Sequence, residues 1–340
     1  RRGRRLRRAL AARPWTLWRY RELLPLVDFD GRVDLGEGGT PLVPLVGAGA
    51  PARLWLKNEA GNPTGSFKDR GMALAVTRAR ELGAPGVELA SAGNAAISLA
   101  AYATAAGLPW RVALPADAPE AVERRCRAHG GEVLRFPGTL VEAGQRLAEQ
   151  EGDFWNVSTL REPYRVEGKK TMGLELAEQF DWRLPEWIVY PTGGGTGILG
   201  MRKAFDELAA AGLLRGPRPR FVVVQMAGCA PIVRAFERGE ESAEPWVAPQ
   251  TRVWGLRVPR ALGDFLILEA LRLSGGLAVA VDEAAIAERQ AETARRHGLA
   301  IGPEGAAALE AALGLVESGR IGAGERVVVF QTGHPANYGG

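Results

Sequence analysis

The chain has few cysteines, histidines and lysines, and it has no long apolar run. Its 340 residues include two cysteines, Cys126 and Cys229, and three histidines. Two distant thiols cannot form a disulfide framework, and neither they nor the isolated histidines have the spacing of a metal site. No apolar run reaches the roughly 18 residues that a membrane-spanning helix needs. The sequence therefore predicts no bound metal and no membrane partner, and it favours a cytoplasmic protein.

Positive charge is concentrated at the start of the printed chain. Six of the first ten residues are arginine, and without them the formal net charge would fall from +4 to −2. A basic stretch of this kind is usually solvated rather than bound to nucleic acid. We therefore expect residues 1–13 to form a disordered basic tail, and we expect no nucleic-acid partner. The tail is not followed by the continuous apolar stretch of a signal peptide.

From about residue 69 onward, short apolar strands alternate with helices. With 46% hydrophobic and 24% charged residues, the composition is that of a globular chain. The alternation predicts an α/β fold with parallel sheets covered by helices on both faces. The length favours two lobes, with a ligand between them at the carboxyl ends of the strands. The expected strands lie at 87–90, 110–115, 132–136, 187–191, 220–226, 278–281 and 326–330.

The segment Asn62-Pro-Thr-Gly-Ser-Phe-Lys-Asp-Arg-Gly71 places Lys68 at the start of a predicted helix. Only five of the 43 basic residues are lysines. A lysine in the first turn is opposed by the helix macrodipole, which indicates a functional reason for its presence. A lysine with a lowered pKa is suited to Schiff-base chemistry. The same segment also fits a helix capped by Ser66 with a surface lysine after it.

Two further segments lie where a predicted strand meets a helix. The first, Thr192-Gly-Gly-Gly-Thr-Gly197, lets several backbone N–H groups point at one anion beside a helix N-terminus, as in a phosphate cradle. A tight turn that needs glycine only for packing is the alternative. The second, Ser91-Ala-Gly-Asn-Ala-Ala96, fits either a carboxylate site at a helix N-terminus or an ordinary cap by Asn94.

Together these segments resemble the fold type II pyridoxal phosphate enzymes, the tryptophan synthase β-like group. Within this group they are similar to segments of the threonine synthases. The resemblance runs from Gly36-Glu-Gly-Gly-Thr-Pro-Leu42 to Gln331-Thr-Gly-His334, and it includes Pro163-Tyr-Arg-Val-Glu-Gly-Lys-Lys-Thr171. It implies pyridoxal 5′-phosphate as the cofactor, a small-molecule amino-acid substrate and a homodimer. The implied reaction converts O-phosphohomoserine and water to threonine and phosphate.

The resemblance also implies roles for individual residues. Lys68 matches the catalytic lysine that forms a Schiff base with the cofactor and then moves protons. Asn94 matches the residue bonded to the cofactor's 3′-oxygen, and Thr332 matches the hydroxyl residue facing the pyridine nitrogen. The phosphate loop corresponds to Gly193, Gly194, Gly195, Thr196 and Gly197. The loop for the substrate carboxylate corresponds to Ser91, Ala92, Gly93, Asn94 and Ala95.

The leaving phosphate of such a reaction needs cations, and the candidates are Lys57 and Arg165, because they lie in matching segments. The alternative is that both are solvated surface charges.

We expect residues 14–85 and 180–340 to form a large cofactor domain. Residues 86–179 are expected to form a small domain that binds the substrate carboxylate.

The chain departs from the threonine synthase pattern at two places. Ala92 and Ala95 replace residues that usually carry hydroxyl groups, and His334 is followed by Pro335-Ala-Asn-Tyr338 instead of the usual Gly-Leu-Lys ending. Both departures leave open a threonine or serine dehydratase, or a β-replacement enzyme, on the same scaffold. A non-catalytic cofactor-binding protein is a more distant alternative, and the presence of Lys68 argues against it.

Overall fold

The computed structural model describes residues 2–47 and 52–338. Its strands are β1 (Leu42–Pro44), β2 (Arg53–Asn58), β3 (Val87–Ala90), β4 (Trp110–Pro115), β5 (Glu132–Phe136), β6 (Trp155–Asn156), β7 (Trp187–Pro191), β8 (Arg220–Met226), β9 (Leu277–Val281) and β10 (Arg326–Gln331). Its α-helices are α1 (Arg2–Ala11), α2 (Lys68–Glu81), α3 (Asn94–Ala106), α4 (Glu120–Arg127), α5 (Leu140–Ala148), α6 (Tyr164–Gln179), α7 (Thr196–Ala210), α8 (Pro231–Glu237), α9 (Asp264–Ser274), α10 (Ala284–His297) and α11 (Pro303–Glu317). A short 3-10 helix at Pro335–Tyr338 follows β10.

The strands form two sheets. The larger has the order β1-β2-β10-β7-β8-β9, and the smaller has the order β5-β4-β3-β6. Every neighbouring pair is parallel except β1 with β2 at one edge. The predicted α/β fold with parallel sheets is confirmed.

The larger sheet is buried on both faces. Along β7, Ile188 and Tyr190 join an apolar cluster with residues of α6, α7 and α9, whereas Trp187 and Val189 join a second cluster with residues of α11. Successive side chains of a strand point to opposite faces, so helices must cover both sides. This arrangement leaves the carboxyl-end edge of the sheet as the place where loops can build a site.

The boundary between the domains differs from the predicted one. The small sheet spans residues 87–156, whereas α6 packs mainly on α2 and α7 and meets the small sheet where the Tyr164 ring contacts the Trp155 ring. A Cβ atom on Gly173 would lie 2.8 Å from the Cβ of Ala204, and one on Gly200 would lie 2.9 Å from the backbone of Lys169. The two helices therefore touch along their backbones. Helix α6 belongs with the large domain, and the small domain ends before it.

The first residues also differ from the expectation of a disordered tail. Residues 2–11 form α1, in which Leu10 is 1% exposed and Leu6 packs against the core of the large domain. The Leu10 carbonyl accepts a hydrogen bond of 2.7 Å from Arg19. Arginines dominate this stretch, but its few leucines lie on one helix face, and that face is buried. The prediction of a disordered tail at 1–13 is therefore wrong for residues 2–11, and residue 1 lies outside the described residues. No helix among the described residues is both long and apolar enough to cross a membrane.

Candidate active site

Lys68 opens α2 at the carboxyl-end edge of the large sheet. The loop before it is fixed by Asp69, whose carboxylate accepts hydrogen bonds from the Thr64 N–H at 2.7 Å and from the Ser98 hydroxyl at 2.7 Å. The Phe67 N–H donates to the Thr332 carbonyl at 3.0 Å. Lys68 and Thr332, predicted from distant segments, are therefore neighbours in the structure. The predicted cap by Ser66 is present only as a 3.3 Å hydrogen bond from the Lys68 N–H to its hydroxyl oxygen.

The amine of Lys68 lies in apolar and positively charged surroundings. Its pKa is lowered to about 7: burial is the largest cause, the Arg165 guanidinium acts in the same direction, and the Glu304 carboxylate acts in the opposite direction. Its Nζ lies 4.2 Å from the centroid of the Phe67 ring. A large fraction of Lys68 is therefore neutral near pH 7, which is the state that acts as a nucleophile or a base.

The glycine loop joins β7 to α7. Gly195 has φ +75°, and a Cβ there would lie 2.1 Å from the Ile267 side chain, while one on Gly193 would lie 2.5 Å from the Gly255 carbonyl oxygen. The fold itself requires glycine at these two positions. A Cβ on Gly194 would meet only the Thr159 methyl group, at 3.1 Å. The loop thus exposes backbone at Gly194 beside the N-terminus of α7, where an anion is favoured.

Arg165 and Lys169 form a buried pair of cations on one face of α6. Arg165 is 2% exposed, and its Nη1 donates to the Val157 carbonyl at 2.8 Å. Its Nε and Nη2 are buried and have no hydrogen-bond partner among the residues that the structure describes. Burial lowers the pKa of Arg165 to about 10. Unpaired donors of a buried guanidinium cost free energy, so this site calls for an anion.

Lys169 is a site residue to which the sequence analysis gave no role. It is fully buried, and its Nζ makes a single long contact of 3.5 Å with the Arg165 carbonyl. Burial lowers its pKa well below the usual value, and the charges of Arg165 and Lys68 act in the same direction. Lys169 follows Arg165 by four residues, and this spacing in the sequence already places both side chains on one helix face. The sequence did not show that this face is buried.

Lys57 does not join this group of cations. Its Nζ donates to the Thr40 carbonyl at 2.8 Å, to Glu175 at 2.8 Å and to Gln179 at 3.0 Å. Arg70 binds the same Glu175 at 2.6 Å. All three N–H donors of the Lys57 ammonium are therefore used inside the large domain, and none is left for a leaving phosphate. The expectation that Lys57 contacts the substrate does not fit this arrangement.

The segment Ser91–Ala95 lies at the N-terminus of α3, facing the chain that follows β10. A Cβ on Gly93 would lie 2.9 Å from the Tyr338 hydroxyl, and Tyr338 packs with Ala92 against the apolar cluster that α2 forms with the small domain. A Cβ on Gly333 would lie 2.8 Å from Nδ2 of Asn94. Burial raises the pKa of Tyr338, the Glu304 charge acts in the same direction, and the Asn94 backbone N–H acts in the opposite direction. The structure thus brings the expected carboxylate loop, Asn94 and the Thr332 segment together.

Glu304 is a second site residue that the sequence did not reveal. It is 3% exposed, and its Oε1 accepts a 3.0 Å hydrogen bond from the Gly255 N–H. Burial raises the pKa of this carboxyl group, and the Lys68 charge acts in the opposite direction. An acidic residue in the first turn of a helix is ordinary, so the sequence of α11 gave no sign of a site. Among the described residues, no group of three or more His, Cys, Asp or Glu side chains could hold a metal ion.

The residues present fit a ligand that carries both a phosphate and a carbonyl group. The exposed backbone at Gly194 and the unpartnered Arg165 donors suit anionic oxygens. The Lys68 amine, with its pKa of about 7, suits covalent addition to a carbonyl carbon. Pyridoxal phosphate has both groups.

Comparisons with known proteins agree with this reading of the site. Residues 33–333 match the family model described as pyridoxal-phosphate dependent enzyme. Threonine synthase of Methanocaldococcus jannaschii is 35% identical over 94% of this chain and 80% of its own, and that of Methanosarcina acetivorans is 37% identical over 94% and 79%.

A solved structure supports the fold. Maize serine racemase superposes with a TM-score of 0.74 at 22% identity, covering 88% of this chain and 89% of its own. The likeness agrees with the tryptophan synthase β-like (fold type II) architecture. The chain therefore belongs to the pyridoxal-phosphate dependent enzyme family and is similar over most of its length to threonine synthases.

Proposed function

We propose that the protein is a pyridoxal phosphate-dependent threonine synthase, a lyase that converts O-phosphohomoserine and water to threonine and phosphate. The observation that carries the proposal is the pair of buried cations, Arg165 and Lys169, next to Lys68. Two guanidinium nitrogens of Arg165 have no hydrogen-bond partner among the described residues, and the charge of Arg165 lowers the pKa values of both Lys68 and Lys169. A substrate that releases a phosphate dianion would supply the anion that these cations lack.

Four features would hold the cofactor. Lys68 would form the Schiff base, and the amide of Asn94 would donate to the 3′-oxygen. The backbone of Gly193–Gly197 would surround the phosphate, and the Thr332 hydroxyl would face the pyridine nitrogen. Pyridoxal phosphate supplies, when bound, a conjugated ring that withdraws electrons from the carbon attached to the amino group. A neutral hydroxyl partner keeps this withdrawal weaker than a carboxylate would.

Lys68 would move the protons of the reaction. Its amine, with a pKa of about 7, accepts a proton from the substrate Cα or Cβ and returns one at neutral pH without a large free-energy cost. Proton removal at Cα and Cβ would permit loss of the Cγ–O bond and release of phosphate. A proton would then be added at Cγ, and water would supply the hydroxyl at Cβ and the proton at Cα. Lys68 lies beside Phe67 and the buried cations, so water has limited access to its amine.

Arg165 would hold the substrate phosphate, with Lys169 beside it. A guanidinium offers two parallel N–H donors, which matches two oxygens of a phosphate group. Nε and Nη2 of Arg165 are buried and have no partner in the described part of the chain, so both are available to a phosphate. Lys57 is not available for this role, because its ammonium donates to the Thr40 carbonyl, Glu175 and Gln179.

The substrate carboxylate would lie against Ser91, Ala92, Gly93, Asn94 and Ala95 at the N-terminus of α3. Backbone N–H groups at a helix N-terminus favour an anion. The Asn94 N–H faces the Tyr338 hydroxyl, so a carboxylate that takes this N–H must displace it. Ala92 and Ala95 add no hydroxyl donors, which leaves the backbone to do most of the binding.

Two reactions measured side by side test the proposal. Phosphate release from O-phosphohomoserine should be much faster than 2-oxobutanoate formation from threonine. Arg165→Ala should lower kcat/KM for O-phosphohomoserine by about a hundredfold or more, because a charged hydrogen-bonded pair to a leaving dianion is lost. Arg161→Ala, at an exposed arginine four residues away, is the matched control. Faster 2-oxobutanoate formation would make the protein a dehydratase.

The cofactor site has its own test. Borohydride reduction of the yellow protein should fix the cofactor to Lys68, as peptide mapping would show. Gly194→Ala should weaken cofactor binding without unfolding the protein, since its Cβ meets only the Thr159 methyl group. An adduct on another lysine would contradict the assignment.

The proposal extends to assembly and location. The family resemblance supports a homodimer, which sedimentation velocity would detect. A cytoplasmic location is supported by Cys126 and Cys229, which are buried and unpaired.

A further inference from the structure

Asn337 lies in the segment after β10 that departs from the threonine synthase pattern, and it has no role in the site so far. Its side chain is 2% exposed. Its Nδ2 donates to Oδ1 of Asn94 at 2.6 Å, to the Gly65 carbonyl at 3.2 Å and to the Thr64 carbonyl at 3.3 Å. Its Oδ1 accepts from Arg125 of α4, which also donates to the Thr64 carbonyl at 3.0 Å.

These partners allow only one orientation of the Asn337 amide. Arg125 can only donate, so the amide oxygen must face it. The Thr64 and Gly65 carbonyls can only accept, so the amide nitrogen must face them. The remaining proton of that nitrogen then points at Asn94, and Asn94 must present its oxygen to receive it.

The orientation of Asn94 follows from that of Asn337. With Oδ1 engaged by Asn337, the Nδ2 group of Asn94 is directed to the other side, near Gly333 and the Lys68 loop. Nδ2 of Asn94 makes no hydrogen bond to the part of the chain that the structure describes, while its oxygen is engaged. The amide therefore enters the site as a donor. An acceptor oxygen, such as the cofactor's 3′-oxygen, is the complementary partner.

We propose that Asn337 is a positioning residue that sets the donor orientation of Asn94 toward the cofactor. The inference rests on the proposed cofactor role of Asn94, and it adds a residue outside the matching motifs. Arg125 is on the small domain, whereas Asn337 follows the last strand of the large sheet. The relay of hydrogen bonds from Arg125 through Asn337 to Asn94 thus joins the two domains at the site.

A double-mutant cycle on cofactor affinity tests the relay. In Asn337→Asp, one carboxylate oxygen still accepts from Arg125, and the other oxygen replaces the amide nitrogen that faces Asn94. Asn94 must then rotate its amide to donate to this oxygen, and its own oxygen turns toward the cofactor. We expect the pyridoxal phosphate dissociation constant, from fluorescence titration of the apoprotein, to rise about tenfold. The absorbance spectrum of the bound cofactor should shift with it. Asn94→Ala should give a similar loss, and Asn94→Ala with Asn337→Asp no more than Asn94→Ala alone.

Controls separate this role from a structural one. Asn156→Asp makes the same substitution where the side-chain oxygen already accepts the Ser158 N–H, so affinity should not change. If Asn337→Asp misfolds, Asn337→Ala should still raise the dissociation constant about threefold, because the preference for one Asn94 orientation is lost. An unchanged constant and spectrum in the Asn337 variants, or an equal loss in the Asn94→Ala background, would overturn the proposal. Failure of the unaltered protein to bind pyridoxal phosphate would instead refute the proposed function.

Discussion

Lys57→Met is expected to destabilise the fold without weakening substrate binding. Lys57 belongs to a fully buried network in which two cations, Lys57 and Arg70, face two carboxylates, Glu59 and Glu175. Methionine keeps the length of the side chain and removes the charge. The two carboxylates then share a single cation, and the Thr40 carbonyl and Gln179 lose a donor.

The size of the effect follows from these contacts. Removing one partner of a buried ion pair costs about 3–5 kcal/mol, because the remaining charge stays desolvated without compensation. Burial raises the proton affinity of Glu175, and the charges of Arg70 and Lys57 together reverse that effect and hold its pKa below the usual value. At roughly 2 °C per kcal/mol for a chain of this size, the midpoint of thermal unfolding should fall by about 6–10 °C.

Thermal unfolding of the cofactor-free protein and steady-state kinetics provide the assay. Lys203→Met is the matched control, because Lys203 is half-exposed and pairs with Glu167 and Glu207 at the surface. Such a pair contributes about 1 kcal/mol or less. A Lys57→Met protein with unchanged thermal stability and a tenfold higher KM for O-phosphohomoserine would refute the structural role and restore Lys57 as a phosphate contact.

Three other predictions follow from the described contacts. The rate at which the apoprotein captures pyridoxal phosphate should rise with pH through about 7, because the neutral Lys68 amine reacts; a rise only near pH 10 would contradict the lowered pKa. A chain that starts at Pro14 should unfold at a lower temperature with unchanged KM, because it lacks Leu10, whose burial contributes about 2 kcal/mol; equal stability would show that α1 does not stabilise the fold. Tyr338→Phe should lower the substrate KM about threefold, because the Asn94 N–H loses a competing acceptor; a higher KM would mean that the hydroxyl binds substrate.

Much of the sheet architecture was predictable from the apolar strands. The predicted strands at 110–115, 132–136, 187–191 and 220–226 match β4, β5, β7 and β8 residue for residue. Strands β4, β7 and β8 are short and mainly apolar, which is the pattern of a buried parallel strand. Strand β5, at the edge of the small sheet, carries Glu132 and Arg135 and is bounded by glycine and proline. The edge strands β1 and β6 have three and two residues and lack that pattern, so they were not predicted. Strand β2 was also missed, because Arg53, Lys57 and Asn58 interrupt its apolar residues.

The candidate site residues that lie in turns after strands were predictable from the sequence, whereas those placed by packing between distant segments were not. Lys68, Asn94 and Gly193–Gly197 follow strands, and their turn chemistry is visible in the sequence. Glu304 and Asn337 reach the candidate site through hydrogen bonds between segments far apart in the chain. Only the fold decides which distant partner each of them meets. The same limit applies to Lys57, because its acceptor Glu175 lies on α6, more than a hundred residues away.

The buried charges at the site connect cofactor chemistry to the leaving group. Lys68, Arg165 and Lys169 face Glu162 and Glu304, and burial raises the pKa of both carboxyl groups. This excess of buried positive charge is unfavourable without an anion. A phosphate dianion bound at Arg165 would offset it and would make protonation of Lys68 easier. Release of that dianion would return the Lys68 amine to its neutral state, so the cations that stabilise the leaving group would also set the proton affinity of the base.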